Sequence, residues 1–126
     1  MIRFIKSRIQ SIKHAIIGWQ HVIRTQQNAW IHLLATILVV ILSIWLQISL
    51  SNWIAILLVI GIVWMAEFLN TALEVIVDLA SPEQHPLAKV GKDVGAAAVL
   101  IAAWIAIVIG ILVLGSPLLH KIQFIF

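Results

Sequence analysis

Five polar residues that could do chemistry stand at Glu67, Asn70, Thr71, Glu74 and Asp78, in a stretch otherwise dominated by apolar side chains. At about 100° per residue these positions fall on one stripe of a helix. Leu69, Leu73, Val75, Ile76 and Leu79 occupy the rest of its circumference. Aligned carboxylates suit a divalent cation, because Mg²⁺ takes hard oxygen ligands and keeps several of its waters. One of them could instead act as a general base. The competing explanation is the solvated end of a long helix. It fits Asp78 alone better than it fits a stripe with Glu67 embedded in apolar sequence.

A second cluster follows at His85, Lys89, Lys92 and Asp93. With a helix starting near Pro86, Lys89, Lys92 and Asp93 are neighbours three and four residues apart. Lysines oppose the helix dipole there, but together with free backbone N–H groups they make a phosphate site. The alternative is an ordinary positively charged loop. The five histidines (14, 21, 32, 85 and 120) have no zinc-ligand spacing, and most read as interfacial.

The elements that must position these groups follow from composition. Of the 126 residues, 63% are hydrophobic and 10% charged, with a mean hydropathy of +1.12. A soluble domain of this size needs a polar skin that such a chain cannot supply, so a soluble enzyme and a disordered chain are both excluded. The absence of cysteine excludes disulfides, thiolate metal sites and a catalytic thiol. The expected fold is an all-α integral membrane protein of one domain, an N-terminal amphipathic surface helix followed by three transmembrane helices. The surface helix covers about 1–24, with Ile2, Ile5, Ile9, Ile12, Ile16 and Trp19 at helical spacing among Arg3, Lys6, Arg8 and Lys13. It lacks the features of a signal peptide. The spans are expected at about 29–50, 52–80 and 86–114, each able to cross the ~30 Å hydrocarbon core. Ser51 is a plausible cap for the second span, Ser81 and Pro82 stop it, and Gly115, Ser116 and Pro117 end the third.

Seven basic residues (Arg3, Lys6, Arg8, Lys13, Arg24, Lys89 and Lys92) share one side with this topology, and Lys121 lies on the other. The positive-inside rule puts the N-terminus and the second loop in the cytoplasm. Trp30, Trp45 and Trp53 fall near the interfaces. If the second span begins at Asn52, Glu67 lies about five residues inside the cytoplasmic boundary, ~7 Å deep, where a buried acid is costly. Gly91, Gly95, Ala98 and Ala102 recur at a spacing that permits close helix contact, expected within an oligomer. There is no P-loop and no aromatic-interleaved basic patch, so a nucleic-acid partner is not expected.

The pattern Glu67, Asn70, Thr71, Ala72, Glu74 and Asp78, with Lys92-Asp93 and Ala96-Ala97-Ala98 downstream, closely resembles the small membrane-integral diacylglycerol kinases of bacteria, a family that includes undecaprenol kinases. The resemblance covers almost the whole chain. It implies a homotrimer of the inner membrane, with active sites between subunits, that moves the γ-phosphoryl of ATP to a lipid hydroxyl with Mg²⁺. By the same resemblance Glu67 is the general base and Glu74 a metal ligand. Asn70 positions the reacting groups, Lys92 binds ATP phosphate with Asp93 beside it, and Glu83 and His85 lie near the nucleotide. Where the family commonly has a second metal-binding Glu, this chain has Gln26, a neutral ligand that weakens the metal site. Diacylglycerol is the simplest acceptor and undecaprenol the close alternative, toward which the short loops and His32 lean.

Two readings of other classes compete. A small proton-coupled exporter would place its acid near the midplane of the first span and usually have four spans. A catalytically dead scaffold descended from the kinases is suggested only by Gln26.

Overall fold

The computed structural model of the chain describes residues 1–81 and 85–123. All regular structure among them is helical: α1 Ile2–Thr25, α2 Gln27–Leu46, α3 Leu50–Ala80 and α4 Pro86–Gln123. The last three are long and apolar enough to cross a membrane. Their exposed positions are mostly Ile, Leu and Val, which is the surface that lipid tails rather than water would cover. On α1, the predicted stripe at Ile5, Ile9, Ile12 and Ile16 is likewise exposed.

The break between α1 and α2 is a single residue. Gln26 is extended (φ −102°, ψ 115°), and its N–H still caps α1 by donating to the Val22 carbonyl at 2.9 Å. No Gly or Pro marks this corner, so it is much tighter than the gap between 24 and 29 expected from the sequence. A small core of Val22, Ala29 and Trp64 lies beneath it, with Ile23, Leu33, Ile60 and Phe68 packed around. Trp19 stacks on Trp64 at 4.7 Å and meets Phe68 edge-on at 4.8 Å, which fastens the end of α1 to α3.

A second core closes the opposite end of the bundle, where Leu46, Ile48, Ile56 and Leu114 are buried together. Here Gln47 ends α2 in the left-handed region (φ 52°), satisfying terminal carbonyls in the manner of a C-cap. The cap of α3 is Ser49 and not Ser51: the Ser49 hydroxyl accepts from the Asn52 N–H at 3.3 Å. Both serines have the right chemistry, and the left-handed Gln47 decides which of them the chain presents to the first turn.

The third span does not end at Gly115, Ser116 and Pro117. The helix runs through Pro117 to Gln123, although proline removes one N–H and crowds the preceding turn. Val113 and Leu114 before it and Leu118 after it all pack on the second core, so burial on both sides holds the helix through the fault. The extension brings the Lys121 ammonium over the Trp45 ring at 5.6 Å.

Candidate active site

Helices α3 and α4 approach closely where the polar stripe lies. Gly95 allows it: a Cβ at this position would collide with the Asn70 carboxamide oxygen, and one at Gly91 would touch Val77. These two glycines therefore serve contact within one chain. Ala102 is buried as well, while Ala98 is exposed.

The predicted stripe divides by depth. Glu67 is 1% exposed, Thr71 and Asn70 are buried, Glu74 is half-buried and Asp78 is exposed. Thr71 leaves the site chemistry, because its hydroxyl donates back to the Glu67 carbonyl at 2.9 Å, a bond within its own helix. Asn70 Nδ2 donates to Glu74 Oε1 at 3.0 Å, and Gln26 Nε2 donates to Glu74 Oε2 at 3.1 Å. The Glu74 carboxylate is thus gripped on both oxygens, once from its own helix and once from the corner between α1 and α2. The tight turn at Gln26 is what aims that amide across 48 residues of sequence.

These three residues line a cavity of about 370 Å³, together with Asn28, His32 and the wall of α4 from Ala96 to Ala103. Among the described residues, Glu74 is its one carboxylate, and no Lys or Arg lines it. Below it, a larger apolar groove of about 520 Å³ runs between α2, α3 and α4 toward Leu118. Glu67 Oε2 and Asn70 Oδ1 are buried without a hydrogen-bond partner. Orphaned oxygens of this kind are rare in native proteins and call for an occupant. One carboxylate, an unpartnered amide oxygen and a second amide make a hard donor set. It fits Mg²⁺, which is usually held by one or two carboxylates plus substrate phosphates and water. Among the described residues no three His, Cys, Asp or Glu side chains converge as a closed metal site.

Lys92 stands apart from the cavity lining and pairs with Asp78 at 2.5 Å. Both partners are more than a third exposed, and such pairs contribute ~0–1 kcal/mol, so a phosphate could draw the lysine away cheaply. Asp93 is exposed on the next position of α4. His85 is exposed and caps α4, its Nδ1 accepting from the Leu87 N–H at 3.2 Å. Glu83 lies outside the described residues.

The sequence marked His32 only as a lean toward undecaprenol and did not show its place in the constellation. His32 Nε2 lies 3.6 Å from Glu67 Oε2. A lone histidine in an apolar run carries no local signal, and only the packing of α2 on α3 reveals its neighbour.

Fold and site together define a helical membrane protein that keeps a buried acid beside a polar cavity at one end of its bundle. The family profile of prokaryotic diacylglycerol kinases matches residues 13–114. The chain is 40% identical over 111 residues to the undecaprenol kinase of Bacillus subtilis, covering 88% of this chain and 87% of that one. It is 36% identical to the diacylglycerol kinase of a Synechocystis species (86% and 63% covered) and 34% identical to that of Escherichia coli (65% and 67%). The chain belongs to the prokaryotic diacylglycerol kinase family, and so to the lipid kinases, which are phosphotransferases.

Proposed function

We propose that this chain transfers the γ-phosphoryl of ATP to the hydroxyl of a membrane lipid, with Glu67 as general base. The observation that carries this reading is the buried Glu67 oxygen without a partner, close to the polar cavity. A carboxylate that is to take a proton must keep acceptor capacity to spare, and its roughly four acceptor sites leave room for one donor besides. The lipid O–H proton goes to Glu67 as the oxygen bonds to the γ-phosphorus, and the bond to ADP breaks. With the nucleotide bound, Mg²⁺ supplies charge neutralisation on the phosphates. Glu74 would hold it, with Gln26 turning its amide to offer oxygen. Asn70 fixes Glu74, Lys92 leaves Asp78 for a phosphate, and Asp93, His85 and Glu83 lie toward the nucleotide.

The acceptor we place first is undecaprenol, because the match to the undecaprenol kinase extends over most of both chains. Diacylglycerol is the second reading, favoured by the two diacylglycerol kinases among the relatives. Purified protein in bicelles, given labelled ATP and each lipid in turn, tests both. A kcat/KM at least about tenfold higher on the prenol is expected. Equal or reversed preference removes undecaprenol from first place, and no labelled lipid from either rejects the kinase reading. We further propose a homotrimer of the bacterial inner membrane, with its N-terminus and second loop cytoplasmic. A single chain puts one carboxylate in the cavity and keeps Lys92 outside it, a set that a neighbouring copy would complete.

Gln26 gives a test with a readout beyond activity. Gln26→Glu replaces an amide donor to Glu74 by a second carboxylate. Without metal the two anions repel, and with metal both can ligate. Opposed charges near a protein surface are worth on the order of 1 kcal/mol or more. The variant is therefore expected to melt lower in chelator, to regain that loss with Mg²⁺, and to need several-fold less Mg²⁺ for half-maximal rate. An unchanged Mg²⁺ dependence of both melting and rate would place the metal elsewhere.

A further inference from the structure

His32 is 13% exposed at its side chain, and its Nε2 faces Glu67 Oε2 across 3.6 Å. Both atoms are shielded from solvent and neither has a hydrogen-bond partner. Two buried polar atoms left unpaired are costly. A small side-chain rotation closing the gap to about 2.9 Å satisfies both at once. The ring has a wall to hold it. Trp64 stands edge-on at 6.3 Å, and the indole N–H of Trp64 is itself tied to Thr36 on α2 at 3.1 Å. Among the described residues, His32 is also the one polar residue that lines both the polar cavity and the apolar groove, alongside Ile31 and Ala103. The two spaces meet where a lipid would turn from tail to hydroxyl.

We infer that His32, which itself lines the junction of cavity and groove, is a positioning residue whose Nε2–H donates to Glu67 Oε2 and fixes the direction of the carboxylate. The inference rests on Glu67 being the base. It assigns His32 no contact with the phosphates. Misplacing a catalytic group by 1 Å can cost about 10²-fold in rate, so the imidazole acts mainly on kcat.

The experiment uses the full chain in bicelles with MgATP and undecaprenol, or diacylglycerol if that is the better acceptor. His32→Leu, which keeps bulk but no donor, is expected to lower kcat by about 10- to 100-fold. Both KM values should stay within about threefold. His32→Gln, which keeps an N–H donor at similar reach, should recover to within about fivefold of wild type. His32→Met replaces His32→Leu if the latter does not assemble. In a Glu67→Gln background, His32→Leu should cost less than about twofold more, since its partner is already gone. Equal losses in His32→Leu and His32→Gln, or the same loss with and without the Glu67 carboxylate, would overturn the inference while leaving Glu67 as base. Near-normal activity of Glu67→Gln alone would instead overturn the base assignment, and the role of His32 with it.

Discussion

Glu67→Gln is expected to lower kcat by about 10²- to 10⁴-fold, the usual contribution of a general base. Glutamine has nearly the same volume, and the position is 1% exposed, so the packing around it should survive. The substitution also removes a buried ionisable group, whose charged form is expensive to keep in apolar surroundings. The variant should therefore melt at or above the wild-type temperature while losing its activity. A stable but inactive protein separates chemistry from folding. Retention of more than about a tenth of the wild-type rate would take Glu67 out of the base role.

Glu74→Gln is the second large effect, for a different reason. The wild-type carboxylate accepts from two amides, one on each oxygen. Glutamine can accept on one atom only, so either Gln26 or Asn70 must turn its amide or lose its partner, the latter at a cost of about 1–3 kcal/mol. The cavity also loses the one carboxylate among its described lining residues. An expected fall of at least 10²-fold in kcat/KM for MgATP corresponds to ~2.7 kcal/mol of lost stabilisation. Raising Mg²⁺ tenfold should recover little of it. Mn²⁺ binding, followed by its paramagnetic effect on water relaxation, should weaken in parallel. If Glu74→Gln binds Mn²⁺ as wild type does, the metal assignment is wrong even where activity falls.

The spans and the polar stripe were legible because both depend on local periodicity. Charge-free runs define α2 and α4, and a 3.6-residue repeat places Glu67, Asn70, Thr71 and Glu74 on one face of α3. The pattern could not say which of those groups the helix would use for itself, and Thr71 is the one it takes. The partners of Glu67 and Glu74 come from α2 and from the corner before it, and inter-helix register leaves no mark in one sequence. The same holds for Gly91 and Gly95, where the spacing announces a close contact without naming the partner. Pro117 misled for the opposite reason. Its local rule is sound, but packing of Leu114 and Leu118 on the second core outweighs it.

The one-residue corner at Gln26 makes α1 a lever. Its 24 residues give an arm of about 36 Å, with Gln26 at the fulcrum and the Trp19 stack acting as a clamp near that end. If the far end rides up or down by ~3 Å with the headgroups, the arm tilts by only about 5°. A side chain reaching ~5 Å from the fulcrum then moves by less than about half an ångström. If α1 lies on the membrane surface, it can follow an undulating bilayer while the Gln26 amide keeps its distance from Glu74, and the polar site is then insulated from the roughness beside it.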